Sequence, residues 1–387
     1  MKRPLLALAL SLAALLAYGA DFGAALGLSP KVSEDGFSIS MGLTPWLSSI
    51  PAGGAGADTE LYLSAALTLS YKDDAWSFGF APRRFDILLK PAAGTSIRIG
   101  RQNYADSAGM IASGLYDGFS LNSSWGSARL SLASLYAGLL DKNGSTVVMS
   151  GADLSERADT SVYFAPPRAL MAASLSFPGT VTYFVDAIAQ FDARGSGALN
   201  SQYLSMGLRG SSADALSYEL ALVNGFVEEE GEVFSYSLAG KTSVSWLPPG
   251  PAKDRLYGSL RYASGELGFL SPYLSVNAIP QGQVFAPRLA GLFVTQAGYD
   301  TRLSAYLSAE LQSSAFLRSN EGGPADSGLD PSSDSLWLGF EVYGALRWAP
   351  YSDLNILFGS GLFVPGAAFL ETEPLRWLAA LSIVLAM

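Results

Sequence analysis

The chain contains no cysteine and no histidine. The first absence excludes disulfides, thiolate nucleophiles and cysteine metal sites. The second removes the commonest general base and metal ligand, and with them every Ser-His or Cys-His nucleophile pair. Neither an enzyme activity nor a cofactor is expected from what remains. Beyond the N-terminus there is no apolar run near the ~18 residues that a membrane helix needs. Yet 49% of the 387 residues are hydrophobic, so the apolar residues have to be spread by alternation. Clusters of Lys and Arg are also lacking, and the formal net charge is -10. That balance argues against nucleic acid as a partner.

The N-terminus reads as a separate unit. Lys2 and Arg3 precede an apolar stretch from Leu5 to Leu16, and small residues follow at Ala17, Gly19 and Ala20. A charged start, a short apolar core and small residues make a secretory signal peptide over residues 1–20. Residues 21–387 are then the mature domain.

The clearest pattern runs from Ser335 to Phe363. Leu336, Leu338, Phe340, Val342, Leu346 and Trp348 share one parity, and Trp337, Glu341, Tyr343 and Arg347 share the other. After Ala349-Pro350-Tyr351-Ser352-Asp353 the alternation resumes with Leu354, Ile356, Phe358, Leu362 and Val364. Period two over such a length is a strand with one oily and one wet face. The length matches the ~9–11 residues of a strand tilted across a bilayer. Strong alternation recurs at 60–72, 181–191 and 303–317, and weaker alternation at 22–28 and 37–43. Gly265 to Pro287 reads as a long loop with strand-like ends, or as two further strands, and Leu289 to Ala297 as a returning strand.

Short turns at Pro178-Gly179, 211–213, 248–250, 298–300 and 349–352 alternate with longer stretches at 141–159, 193–199, 226–232, 319–335 and 365–374. Membrane barrels pair short periplasmic turns with longer outer loops. In lipid every backbone polar group needs an internal partner, which strands achieve only by closing. The expected fold is therefore all-β: a closed antiparallel transmembrane β-barrel of about 16–18 strands, wide enough for an aqueous channel. On the lipid face, Leu307 and Phe340 are expected near mid-bilayer.

Two stretches carry a family resemblance. Ile99-Gly100-Arg101-Gln102, a loop over 103–115 and Tyr116-Asp117-Gly118-Phe119 together resemble a hairpin of Gram-negative porins of the alginate-export and related families. The resemblance implies a strand pair beside the pore and a loop that folds inward. Leu381, Ile383 and Leu385 resemble the closing strand of outer-membrane barrels, although Met387 stands where those usually carry an aromatic. What this class implies is a monomer or trimer in outer-membrane lipid, inserted by the barrel-assembly machinery.

The wet faces supply the candidate pore-lining residues: Arg98, Arg129, Asp186, Arg209, Glu219, Lys241, Arg261, Arg302, Tyr306, Glu310, Glu341 and Arg347. Basic groups prevail among them, and rings of basic side chains favour anions. The competing reading is a network of paired charges that stiffens the wall. Tyr62, Tyr203, Tyr257, Tyr306 and Tyr343 also point inward by phase, either to stack on sugars or to fill space. The function expected is a porin-like channel for small hydrophilic solutes, anions among them. The alternative is a structural or adhesin barrel that works through its outer loops.

Overall fold

The computed structural model describes residues 20–49, 58–195, 198–212, 215–229, 234–250, 253–320 and 328–387. Among them the alternating segments become eighteen strands in chain order. These are β1 (Ala20–Ser33), β2 (Gly36–Ser49), β3 (Asp58–Lys72), β4 (Ala75–Ala92), β5 (Thr95–Ala105) and β6 (Ser113–Trp125). Next come β7 (Ala128–Tyr136), β8 (Arg168–Phe177), β9 (Val181–Asp192), β10 (Leu199–Ser212), β11 (Leu216–Glu229) and β12 (Ser235–Trp246). The last six are β13 (Arg255–Ala263), β14 (Leu292–Arg302), β15 (Leu307–Arg318), β16 (Trp337–Trp348), β17 (Leu354–Pro365) and β18 (Arg376–Ala386). Each pairs antiparallel with the next, and β1 pairs with β18, so the sheet closes and has no edge. Ala24 and Met387 exchange two backbone hydrogen bonds at the seam.

The wall explains the composition. On β9, Tyr183 is 54% exposed while its neighbour Phe184 is 1% exposed. Val185 and Phe191 continue the outward row, and Asp186, Ile188 and Gln190 the inward one. An outward apolar band on a closed barrel is the surface of a membrane-spanning protein. Trp76, Trp125, Trp246, Trp337, Trp348 and Trp377 lie exposed at strand ends, where interfacial girdles belong.

Most connections at one end are short, 93–94, 126–127, 178–180, 213–215, 303–306 and 349–353, with 50–57 and 247–254 the two of eight residues. β1 starts and β18 finishes at this end, here called the terminal end. At the opposite, loop end the connections are unequal. Two-residue turns at 34–35 and 73–74 contrast with 137–167, 264–291 and 319–336. The signal peptide expected over 1–20 lies outside the described residues except for Ala20, as do the loop residues 50–57 and 321–327 and the acidic tip at 230–233.

Several expectations change. The turn read at 298–300 is strand: β14 runs on to Arg302, and the turn is 303–306. Gly298 is there for close approach, since a Cβ would meet the Tyr257 ring at 2.2 Å. Tyr306 therefore sits exposed in the turn, not on a strand, and Leu307 opens β15 at the terminal end, away from mid-bilayer. Phe340, expected near mid-bilayer too, is four residues into β16 and so closer to the loop end.

The phase read across Leu336 and Leu338 also fails. Phe316 pairs with Gly339 and Leu317 with Trp337, so a bulge flips the parity. Leu338 becomes fully buried inside and Trp337 faces out. Residues 264–291 form one loop without named strands. β1 and β2 are full-length strands of 14 residues. Their alternation is weak because, apart from Lys31 and Trp46, their inward faces are mostly serine, glycine, threonine and alanine, which contrast little with the small residues of the outer face.

The resemblance hairpin is β5–β6, and its loop is 106–112, shorter than expected. Gly100 and Gly118 are cross-strand partners with φ of +121° and +156°. A Cβ on either would lie 2.2 or 2.1 Å from a carbonyl of the next strand, which is why the motif carries glycine at both places. Arg101 then meets Asp117 through hydrogen bonds of 2.9 and 2.7 Å.

Candidate functional site: the barrel interior

Three loops of the loop end fold into the barrel and bind one another. In 106–112, the Asp106 carboxylate accepts from the N–H groups of Met110, Ile111 and Ala112 at 3.1, 2.9 and 2.8 Å. Burial raises the Asp106 pKa above the ordinary carboxylate value; these bonds oppose the rise and nearby Asp186 adds to it. Ser107 docks the loop on the wall, donating its N–H and hydroxyl to Asp186 at 2.8 and 2.7 Å. Loop 264–291 lies against it: Tyr273 donates to the Met110 carbonyl at 2.9 Å and the Val276 N–H to the Ile111 carbonyl at 2.8 Å. Asn277 joins all three loops. Its Oδ1 accepts from the Ser113 N–H and the Tyr116 hydroxyl, and its Nδ2 donates to Thr146 at 2.7 Å. Ala108, Met110, Ile111, Val147, Tyr273 and Val276 form an apolar cluster with the wall residues Tyr203, Val223 and Leu135.

The far part of loop 264–291 is held separately. Glu341 accepts from the N–H groups of Gln283, Val284 and Phe285 at 2.8–2.9 Å. Phe285 packs with Phe316, Phe363 and Phe369, with centroids 4.4–5.8 Å away, and the Arg376 guanidinium lies over this group.

The 137–167 connection contains the short helix α1 (Gly151–Ala158), started by a Ser150–Asp153 capping box. Arg168 and Arg194 clamp it. Arg168 reaches Asp153 at 2.9 Å and Asp192 at 3.3 Å, while Arg194 reaches Asp192 at 2.8 Å and Glu156 at 3.2 Å. Burial alone would raise the Asp153 pKa, but Arg168 and the N–H groups of Met149 and Ser150 carry it below the ordinary value. Nothing in the sequence pattern marked this clamp, because its charges lie on four separate segments.

The expected site residues divide into four groups. Arg209, Glu219, Lys241 and Arg261 are brought together on β10–β13, where with Arg255 they line a cavity of about 630 Å³. Lys241 and Glu219 pair at 3.0 Å, and Arg255 pairs with Asp300. Arg261 donates to Gln281 at 3.1 Å, and Arg209 lies 5.8 Å from the Phe184 ring centroid. Neither has a carboxylate partner among the described residues. Glu310, two strands from Arg261, accepts from Tyr257 at 2.9 Å.

Asp186 and Glu341 point inward but are covered, both 1% exposed, because the loops above use them as anchors. That corrects the expectation that they line the pore. Arg129, Arg302, Tyr306 and Arg347 lie at the terminal end, and Arg302 closes its own turn on the Ser304 and Ala305 carbonyls.

Arg98 stands apart on the β3–β5 wall. Its guanidinium is 3.3 Å from Asp86, which Arg84 also binds. Here no loop covers the wall. The inward residues of β1–β3 are mostly Gly, Ser, Ala and Thr, with Trp46 and Tyr62 between them.

The class defined is a closed 18-stranded barrel with an inward-folded, hydrogen-bonded set of loops and a basic cavity beside it. No protein-family model matches the chain, and no curated protein matches it. Among solved structures it is similar to three Pseudomonas aeruginosa chains. OccK2 (OpdF), solved in complex with glucuronate, has a TM-score of 0.65 at 11% identity, over 95% of this chain and 98% of that one. OccK8 (OprE) has 0.65 at 9%, again over 95% and 98%. OccK11 (OpdR) has 0.61 at 15%, over 95% and 96%. At these identities the likeness establishes the fold.

Proposed function

We propose that this chain is an integral outer-membrane channel through which small hydrophilic solutes diffuse passively, anions preferentially. The observation that carries the reading is the cavity of about 630 Å³ inside the wall, where Arg209, Lys241, Arg255 and Arg261 face the carboxylate of Glu219. Guanidinium groups keep their charge at any working pH, so the bias is permanent. One of the similar solved structures, OccK2 (OpdF), was obtained in complex with the anion glucuronate, which supports the same reading. An adhesin would project its longest loops; here 137–167 and 264–291 turn inward and are tied to the wall.

In this reading the terminal end faces the periplasm and the apolar band contacts outer-membrane lipid. The barrel is inserted by the barrel-assembly machinery as a monomer or trimer. Planar-bilayer recording in a salt gradient tests the proposal. Arg209→Glu with Arg261→Glu is expected to move the reversal potential toward cation selectivity with the barrel still folded. Unchanged selectivity would make these arginines wall structure, and a folded barrel that passes no current would end the channel reading.

A further inference from the structure

Among the described residues, Trp46 is the one tryptophan that points inward; the other six lie exposed at strand ends. Its placement follows from cross-strand register. Phe22 pairs with Leu47 on the outer face, so the next pair, Gly23 and Trp46, faces inward. Ser64 and Arg84 continue that row across β3 and β4. The adjacent row holds Ser48, Tyr62, Asp86 and Gly100. Thus an indole, a phenol, two guanidiniums and a carboxylate share one patch of inner wall.

The patch is built. The Trp46 and Tyr62 ring planes are 5° apart, with centroids separated by 6.4 Å. A Cβ on Gly23 would lie 2.7 Å from the Trp46 ring, so the indole lies over the Gly23 backbone and leaves its other face to the lumen. Arg84 fixes the second ring, its guanidinium carbon 4.4 Å from the Tyr62 centroid. Asp86 in turn holds both Arg84 and Arg98. The Trp46 indole N–H, the Tyr62 hydroxyl and the remaining guanidinium N–H groups have no hydrogen-bond partner among the described residues. Each guanidinium carries five N–H donors, so several remain for a solute. No inward-folded loop makes a hydrogen bond to a side chain of the patch among the described residues, and the Arg84 and Arg98 side chains are 32% and 29% exposed, so the patch is open to the lumen.

We propose that Trp46 and Tyr62, together with Arg84, Asp86 and Arg98, form a lumenal shelf that binds the flat C–H face of a pyranose ring. The electron-rich faces of aromatic rings attract the electropositive C–H edges of a sugar, and the part-exposed guanidiniums of Arg84 and Arg98, held by the buried Asp86, meet its hydroxyls. The ligand class is a neutral sugar, distinct from the anions assigned to the β10–β13 cavity. An acyclic polyol has the hydroxyls but no flat face, so it is not held. The inference rests on the channel reading for the route by which a sugar reaches the shelf.

The test separates the two. Methyl glucoside and sorbitol are offered to the full chain in a detergent without sugar headgroups, and binding is read by saturation-transfer NMR. Methyl glucoside is expected to bind and sorbitol not. Trp46→Ala should weaken the glucoside on the order of tenfold, equivalent to ~1.4 kcal/mol of contact. Trp46→Phe should restore most of it, which a merely misfolded barrel would not. Equal binding of sorbitol, no glucoside signal from the folded parent, or an unaffected Trp46→Ala variant would each overturn the shelf. Conductance of the same preparation is recorded in a bilayer. Current without a sugar signal removes the shelf alone; a sugar signal without current removes the channel reading alone.

Discussion

The two halves of this barrel share one wall and differ in what covers it. Where loops 106–112 and 264–291 seat on β9 and β16, inward acids such as Asp186 and Glu341 are covered and hold loop backbone. Along β1–β4, the connections at the loop end are two-residue turns, and among the described residues no inward-folded loop is hydrogen-bonded to the inward side chains. The same alternation thus yields anchors in one half and a solute-facing surface in the other. An inward charge on a strand is not by itself a pore residue; what the neighbouring loop does decides its role.

The sharpest contrast is between two arginine–carboxylate groups. Arg168, 1% exposed, is held between Asp153 and Asp192. Arg168→Ala leaves buried acids short of a cation and is expected to cost about 3–5 kcal/mol. Arg84 binds Asp86 too, but its side chain is 32% exposed and Arg98 remains as a partner. Arg84→Ala should cost about 1 kcal/mol or less. Urea unfolding of both variants decides this; equal losses would erase the distinction between covered and open halves.

On β2, Met41 faces lipid and Ser40 faces lumen. Met41→Arg is expected to destabilise by about 2–4 kcal/mol if it lies near the midplane. Ser40→Arg should stay within about 0.5 kcal/mol, as surface changes do. Heat-modifiable gel mobility reads the outcome, and equal tolerance at 40 and 41 would break the phase of β2.

The comparison extends to the covered half. Ser205 is inward like Ser40 but fully buried, with its hydroxyl on Asp186. Ser205→Arg has to displace the 106–112 loop and should cost roughly 1–3 kcal/mol, the range for overpacking. Protease cleavage within 106–112 is the companion readout, and a variant as resistant as the parent would show that the loop is not seated there.

The smallest effect is on pH. Asp106 has a raised folded pKa, so its charged form is disfavoured in the fold and acidification relieves that cost from above the ordinary carboxylate range. Asp153 has a lowered folded pKa, so its contribution is present above the unfolded value and is lost as pH falls through the lower folded value. Carboxyl NMR titration should therefore find Asp106 protonating before Asp153 as pH falls. Coincident titration would mean that loops 106–112 and 137–167 are not held by different means.

Much of the wall was legible. The outward rows of β9, β17 and most of β16 could be read directly because apolar side chains recur there at almost every second position, although inward Phe184, Ile188 and Phe363 are apolar too. β1 and β2 were faint because small inward residues blur the contrast. The turn at 303–306 was misplaced because Gly298 looks like a turn residue, whereas it makes room for Tyr257. The bulge at Leu338 broke a phase that no local pattern reveals. Within the candidate site, the inward placement of Arg209, Glu219, Lys241 and Arg261 was legible from phase alone. Asp106, Asn277, Arg168 and Trp46 were not among the expected residues: Asn277 and Arg168 act through partners far away in the chain, Asp106 holds the backbone of its own loop, which no alternation marks, and Trp46 sits on a weakly alternating strand.

The sequence by itself determined that this chain closes as a membrane barrel. Period-two alternation is a local property, and without long apolar runs lipid leaves no other way to satisfy the backbone. Which inward residues face water was decided only by tertiary structure. Loops 106–112, 137–167 and 264–291 come from separate parts of the chain, and they meet inside through Asn277, Asp186 and Glu341. Such contacts depend on where the closed wall brings each loop, which no window of neighbouring residues encodes.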